Sequence, residues 1–277
     1  MSERNGYQHG VPCWVDIMLP DPEAAMRFYG ELFGWEFAGP GAMPGGSGGE
    51  YFVARLRGRD VAGVGSQPAE GASPAPAWTT YICVDSADDA AAKVKQAGGS
   101  VVVEPFDVLP AGRMAVVADP EGAIFCVWEA AERRGAQLVN EPGAWSMSAL
   151  NTRDPEAATT FYREVFGWKT EVFDLGGAQV GLYQLSGYVG GEPEQPVPRD
   201  VVATMIPMGD ETPEDAPPHW SVDFWVDDLD GATEAARRGG GTVVAPPYDI
   251  PGTGLRQSVV GDPQGAVFSV TKVTVPG

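Results

Sequence analysis

The clearest pattern of apolar and polar positions in the chain is a segment that occurs twice. DPEAAMRFYGELFGWEF at 21–37 returns as DPEAATTFYREVFGWKT at 154–170, with 11 of 17 positions identical. In both copies, apolar residues recur at the three- and four-residue spacing of an amphipathic helix. In the first copy, Asp21 is placed as the N-cap, and Gly34 stands where a glycine ends a helix. The pattern therefore predicts two equivalent short helices.

A second pair of segments, beginning at Trp78 and Trp220, also repeats. Each predicts a strand, a helix that starts with acidic residues, a glycine stop and further strands. Asp, Pro and Gly occupy the turn positions they favour in DPEG (119–122) and DPQG (262–265), so a hairpin is expected at each. Together the repeats predict four βαβββ modules at 12–68, 78–130, 145–207 and 220–275.

The modules are expected to form two equivalent halves. Segments rich in Pro and Gly separate the modules, and the segment at 133–144 divides two halves of the same motif content. The predicted domains are residues 1–135 and residues 143–277, each with two modules.

The composition and charge of the chain indicate which kinds of molecule it can bind. The 277 residues carry a formal charge of −20, so phosphate backbones are repelled, nucleic acid is not an expected partner, and cationic small molecules are favoured. No apolar run reaches the roughly 18 residues of a membrane helix, and no secretion signal is visible. The three cysteines form neither a disulfide framework nor a zinc motif. A cytoplasmic protein without a membrane partner is expected.

The order of strand, D-P-x-x-A-x-x-F-Y-x-x-x-F-G-W helix, strands and D-P-x-G hairpin resembles the vicinal oxygen chelate superfamily. That group contains glyoxalase I, extradiol dioxygenases and bleomycin-binding proteins. The closest likeness is to four-module actinomycete members associated with antibiotic biosynthesis. The resemblance implies an α+β fold in which four βαβββ modules form two glyoxalase-like domains with curled mixed sheets. A monomer or homodimer is expected, with a biosynthetic enzyme as a further candidate partner.

Metal-dependent members of this superfamily take His or Gln from the first strand of a module and Glu from its last. Here the matching positions, found by counting from the motifs, hold no such residues in any module. In the first and third modules the last-strand positions fall near Ala62–Gly63 and Gly190–Gly191. The other positions hold Trp14, Met147, Thr79, Ser221, Cys126 and Ser269. None of these is a strong ligand for a hard metal, so neither a metal site nor another cofactor is expected.

If these positions face a cup, strand alternation predicts which neighbours face it too. The candidate ligand-binding residues on the strands are Trp14, Asp16, Thr79, Tyr81, Cys126, Trp128, Met147, Asn151, Ser221, Asp223 and Trp225. The loops before the final hairpins add Phe106, Arg113, Tyr248 and Arg256. Such a lining, aromatic with a few carboxylates, is typical of a site for a flat apolar ligand with a positive charge.

Three functions are compatible with these residues. The first is a metal-free protein that binds a polycyclic aromatic natural product such as an anthracycline, for sequestration or hand-over in antibiotic biosynthesis or self-resistance. The second is a metal-dependent glyoxalase-like lyase, dioxygenase or hydroxylase. The third is a metal-free enzyme with Asp16 or Asp223 as general base and Tyr81 as acid. The ligand positions favour the first function over the second, and no residue separates the first from the third.

Overall fold

The computed structural model describes residues 3–42, 48–67, 75–175, 178–190, 198–209 and 212–274. Across them, the predicted order of strand, helix and three strands occurs four times. The first module comprises β1 (Pro12–Leu19), α1 (Pro22–Phe33), β2 (Glu36–Ala42), β3 (Glu50–Leu56) and β4 (Arg59–Ser66). The second comprises β5 (Trp78–Cys83), α2 (Ala87–Gln96), β6 (Ser100–Val108), β7 (Gly112–Ala118) and β8 (Ile124–Ala130). The third comprises β9 (Trp145–Thr152), α3 (Pro155–Phe166), β10 (Lys169–Leu175), β11 (Ala178–Gln184) and β12 (Val201–Pro207). The fourth comprises β13 (His219–Trp225), α4 (Leu229–Arg238), β14 (Thr242–Ile250), β15 (Leu255–Gly261) and β16 (Val267–Val273).

Helices α1 and α3 begin and end where the repeated segment predicts. The side chains of Asp21 and Asp154 accept hydrogen bonds from the backbone N–H groups of Ala24 and Ala157, each at 2.9 Å. The glycine after each helix has a positive φ, 71° after α1 and 74° after α3. Because a residue with a Cβ atom is strained in that conformation, glycine ends both helices.

Each half of the chain forms one eight-stranded mixed sheet. The strand order is β2-β3-β4-β1-β5-β8-β7-β6 in the first sheet and β10-β11-β12-β9-β13-β16-β15-β14 in the second. β1 and β5 run antiparallel at the centre, and each pairs in parallel with the last strand of its own module. In each sheet, strands from the two opposite ends of the strand order contribute side chains to the same cavity, so each sheet is curled. The predicted α+β fold of βαβββ modules is confirmed.

The hydrophobic core is shared between the halves. One cluster of buried side chains joins Trp78 of β5 to Phe224 of β13, with ring centroids 5.0 Å apart. A second cluster joins Phe125 of β8 to Tyr162 of α3, with centroids 5.8 Å apart. Since burial of apolar surface is the main stabilising contribution to folding, each half depends on the other for part of its stability.

Two buried hydrogen bonds, which we call the cross-half pairs, also connect the halves. Tyr29 of α1 donates to the carboxylate of Asp262 at 2.9 Å, and Tyr162 of α3 donates to that of Asp119 at 3.1 Å. Both aspartates belong to D-P-x-G turns, where backbone N–H groups donate to their other carboxylate oxygen. The F-Y motif of one half therefore meets the turn motif of the other.

The segment at 133–144, predicted as a linker, is packed against the first sheet. Ala136 and Leu138 are 1% and 2% exposed. The backbone N–H of Ala136 donates to the carbonyl of Cys13 at 2.8 Å. The segment is thus part of the core and not a free tether, while the domain boundaries at 135 and 143 stay a prediction.

Candidate ligand-binding site

The concave face of the first sheet encloses a cavity of about 560 Å³. Its walls carry aromatic rings from four strands: Trp14 of β1, Tyr51 of β3, Tyr81 of β5 and Trp128 of β8. Apolar side chains of β7 and of the loop after β6 complete one side. Such a lining offers flat faces on which another ring system can stack.

A buried carboxylate lies among these rings. Asp16 of β1 is 2% exposed, and its Oδ2 atom accepts hydrogen bonds from Tyr81 at 2.8 Å and Tyr51 at 3.0 Å. Tyr51 in turn accepts one from the indole N–H of Trp14 at 3.0 Å. Burial raises the pKa of Asp16 to about 7, although the two tyrosine hydrogen bonds favour the ionised form. The carboxyl group therefore changes charge near neutral pH.

A glycine makes room for this network. Gly63 of β4 pairs with Asp16 in the parallel ladder between β1 and β4. A Cβ atom added at Gly63 would lie 1.9 Å from the hydroxyl of Tyr51. Because any side chain there would displace Tyr51, glycine at this position is what allows the tyrosine to reach the carboxylate.

The rim of the cavity carries two guanidinium groups. Arg133 lies over the ring of Trp14, 5.5 Å from its centroid, in a cation–π contact. It also forms an ion pair with Asp60 at 3.3 Å, and Arg55 pairs with the same carboxylate at 2.8 Å. The two positive charges are thus partly offset by Asp60.

Two predicted residues lie beside the cavity and are not part of its lining. Cys126 of β8 is in register with Tyr81 and is 2% exposed, and burial raises the pKa of its thiol well above the usual value. Thr79 of β5 pairs with Asp16 across the centre of the sheet. Cys126 is therefore a neutral thiol, with no sign of an activated nucleophile.

The second sheet encloses a smaller cavity of about 210 Å³ around Asp223. Its carboxylate accepts hydrogen bonds from Thr271 at 2.5 Å, Ser146 at 2.7 Å and Gln257 at 3.3 Å. Burial raises the pKa of Asp223 to about 6, while these three donors lower it. The other predicted residues in this lining are Met147, Ser221 and Trp225.

The remaining predicted residues lie outside the linings of both cavities. They are Asn151, Phe106, Arg113, Tyr248 and Arg256. Arg113 forms an ion pair with Asp88 at 2.8 Å, and Arg256 forms one with Asp249 at 3.2 Å. Both ion pairs lie at the surface, where the first joins β7 to α2 and the second joins β15 to β14.

Tyr51 and Arg133 are among the residues of the first cavity that sequence reasoning missed. Strand alternation places Tyr51, Val53 and Arg55 of β3 on one face, and all three line the cavity. The alternation of side chains along β3 can be read from the sequence, but no residue pattern indicates which face of the strand is turned toward the cavity. Arg133 follows β8, the last strand of the second module, and belongs to no motif or periodic pattern that would indicate a binding residue.

The polar side chains of the first cavity do not fit the metal centre found in metal-dependent proteins of this fold. Within the described residues, no group of three or more His, Cys, Asp or Glu side chains could hold a metal ion. The first cavity offers one carboxylate and two tyrosine hydroxyls, whereas such centres use several imidazole and carboxylate ligands.

Two family models match the chain. Residues 13–127 match the Glyoxalase/Bleomycin resistance protein/Dioxygenase superfamily, and residues 147–271 match a Glyoxalase-like domain. The chain belongs to the glyoxalase/bleomycin resistance/dioxygenase superfamily. None of the described helices is long and apolar enough to cross a membrane.

Relatives match nearly the whole chain. CFP32 of Mycobacterium tuberculosis, provisionally named a glyoxylase, is 40% identical over 276 residues, which is 98% of each chain. The anthracycline biosynthesis protein DauV of Streptomyces sp. (strain C5) is 35% identical and covers 95% of this chain and 94% of its own. The protein DnrV of Streptomyces peucetius, which has the same description, shows the same identity and coverage.

Solved structures share the fold at low sequence identity. The Mn(II)-bound glyoxalase from Novosphingobium aromaticivorans superposes with a TM-score of 0.63 at 19% identity, over 97% of this chain and 84% of that one. The 2,2',3-trihydroxybiphenyl 1,2-dioxygenase from Sphingomonas wittichii strain RW1 gives 0.61 at 14% identity, over 96% and 91%. These likenesses establish the fold alone.

Proposed function

We propose that this protein binds a polycyclic aromatic natural product of the anthracycline class in its first cavity. It would act without a metal, by sequestering the compound or handing it over in antibiotic biosynthesis or self-resistance. The observation that carries the proposal is a large cavity lined by Trp14, Tyr51, Tyr81 and Trp128, with the carboxylate of Asp16 among the rings.

The size of the cavity favours a ligand of several rings. Sites for drug-sized molecules have volumes of about 300–1,000 Å³. The first cavity, at about 560 Å³, lies within this range, whereas the second, at about 210 Å³, lies below it. Each good stacking contact contributes about 0.5–1.5 kcal/mol beyond area burial, so two to four aromatic faces add about 1–6 kcal/mol to what burial of the rings contributes toward the roughly 8 kcal/mol of micromolar binding.

The charge of the protein favours a cationic ligand. A net charge of −20 raises the local concentration of cations around the molecule. Inside the cavity, Asp16 can accept a hydrogen bond from an ammonium or a hydroxyl group, and a positive charge nearby would keep it ionised. The names of DauV and DnrV, which describe anthracycline biosynthesis proteins, support the same class of compound.

Quenching of tryptophan fluorescence tests this proposal. An anthracycline titrated into the purified, EDTA-treated protein should quench its tryptophans with a micromolar or lower Kd, and the binding should weaken as salt is raised. Trp128→Ala and Asp16→Asn should each weaken binding several-fold. Trp225→Ala, the matched change in the second cavity, should have a smaller effect.

Two results would overturn the binding proposal. One is the absence of quenching up to high micromolar ligand. The other is conversion of the anthracycline by the protein alone, followed by mass spectrometry.

A second candidate function is metal-free acid–base catalysis. It is favoured by the pKa of Asp16, about 7, in contact with the hydroxyl of Tyr81 at 2.8 Å. A carboxylate near its pKa at working pH is suited to accept a proton, and a neighbouring tyrosine to donate one. Turnover that is abolished by Asp16→Asn and insensitive to EDTA would select this function over binding alone.

A further inference from the structure

The first cavity adjoins a second, polar hollow that the proposed function leaves unused. This hollow has a volume of about 400 Å³, and we call it the polar annex. Four residues belong to both linings: Pro110, Ala111, Arg133 and Gly135. Because these residues are shared, the two hollows are neighbours, and Arg133 borders both of them.

The linings of the two hollows differ in chemistry. The first cavity is walled by aromatic and aliphatic side chains, whereas the polar annex is lined by charged and amide groups. The residues found only in the annex include Arg4, Asn5, Asp60, Glu132, Arg134 and Gln137. A ligand that fills both hollows must therefore be apolar at one end and rich in hydrogen-bonding groups at the other.

The annex offers hydrogen-bond donors and acceptors side by side. Three guanidinium groups (Arg4, Arg133 and Arg134) and two carboxylates (Asp60 and Glu132) line the annex, so donors and acceptors are mixed and the formal charge of these groups is 3 − 2 = +1. Adjacent donors and acceptors match hydroxyl groups, each of which both donates and accepts.

Two of the annex side chains are exposed and unpaired. Arg134 and Glu132 form no ion pair with any other described residue. Arg133, in contrast, is already held by Asp60 and by the ring of Trp14. Arg134 and Glu132 can therefore turn toward a ligand without breaking an existing ion pair, and Glu132 can pair with an amino group.

We propose that the ligand is a glycoside, with its aromatic aglycone in the first cavity and its sugar in the polar annex. This inference rests on the proposed function for the aromatic part and adds the class of its polar substituent. Where the sugar carries an amine, Glu132 is its partner, and Asp16 then faces a hydroxyl or carbonyl of the ring system.

The test compares the affinity of an anthracycline glycoside with that of its aglycone by fluorescence titration. The glycoside should bind at least tenfold more tightly. Arg134→Ala and Glu132→Gln should remove most of this advantage and leave the Kd of the aglycone unchanged. Arg163→Ala and Glu164→Gln, which make the same changes at exposed positions of α3, should alter neither Kd.

The outcomes separate this inference from the proposed function. Equal affinity for glycoside and aglycone would overturn the sugar site and leave aromatic binding intact, and so would an equal loss for both ligands in Arg134→Ala. Tighter binding of an aglycone glucuronide than of the neutral glucoside would identify an anion site instead. If neither the aglycone nor the glycoside binds, both proposals fail.

Discussion

Asp16 has an energetic cost as well as a candidate role. Its carboxyl group is nearly inaccessible to solvent, and two tyrosine hydroxyls only partly replace the lost water. The neutral acid is therefore favoured in the folded protein up to a pH of about 7. Groups held at such a pKa in a cavity are frequent at functional sites, which is why the residue bears on stability and binding together.

Stability should fall with rising pH because of Asp16. The unfolded chain ionises this carboxyl at its ordinary pKa of about 3.9, and the folded protein at about 7. Neutral Asp16 thus contributes stability that is complete below about pH 4 and is lost as the pH rises through 7. Between pH 5.5 and 8.5, wild type should lose about 2 kcal/mol relative to Asp16→Asn, at 1.36 kcal/mol per pKa unit.

Urea denaturation of both proteins at the two pH values measures this difference. Asp223→Asn is the matched control, and it should remove less than half as much pH dependence, since the pKa of Asp223 is about 6. If Asp16→Asn and wild type follow parallel stability curves, then the carboxyl is already ionised at pH 5.5.

The helices, the turns and the order of elements along the chain were predictable because short-range patterns determine them, but the order of strands within each sheet and the packing of elements on one another were not. The N-caps at Asp21 and Asp154 followed from their place before an apolar repeat. The inward face of β3, with Tyr51, depends on how the sheet closes, which no local pattern records. The contacts of Asp119 and Asp262 with tyrosines of the opposite half were equally hidden, since the D-P-x-G motif by itself indicates only a turn.

In the third module, counting from the D-P motif did not locate the last strand, and the reason is the length of the connection before that strand. In the first module, β3 and β4 are joined by a two-residue turn, so a fixed offset reaches the strand. In the third, β11 ends at Gln184 and β12 begins only at Val201. Gly190 therefore precedes the strand, and Gly191 lies outside the described residues. The register places Thr204 opposite Ala149, as Gly63 stands opposite Asp16.

The cross-half pairs should contribute measurably to stability. Tyr29→Phe removes the hydroxyl that donates to the buried carboxylate of Asp262. Loss of one partner of a buried hydrogen bond costs about 1–3 kcal/mol. Tyr183→Phe is the matched control, because the buried hydroxyl of Tyr183 donates to the sulfur of Met205, a weak acceptor, at 3.4 Å. Equal losses in the two variants, measured by urea denaturation, would contradict a specific role for the pair.

The two halves should be unable to fold independently. Both core clusters contain residues of both halves, so a separated half exposes rings such as Trp78 and Phe125. We expect fragments 1–135 and 143–277 each to lack cooperative unfolding, and to form a 1:1 complex when refolded together. Near-ultraviolet circular dichroism and light scattering would detect both results, and a fragment that unfolds cooperatively as a monomer would refute this expectation.

Each cross-half pair joins a helix of one half to a turn of the other, and this arrangement has a consequence for how the two cavities differ. If two identical two-module chains associated through these contacts, two-fold symmetry would make their cavities the same. In a single continuous chain, each copy of a position is encoded separately. Asp16 therefore stands opposite Thr79 in one sheet, while Ala149 stands opposite Ser221 in the other. Because both halves belong to one chain, the residues that line the two cavities need not be the same. One cavity can therefore acquire residues for recognition while the residues of the other change independently.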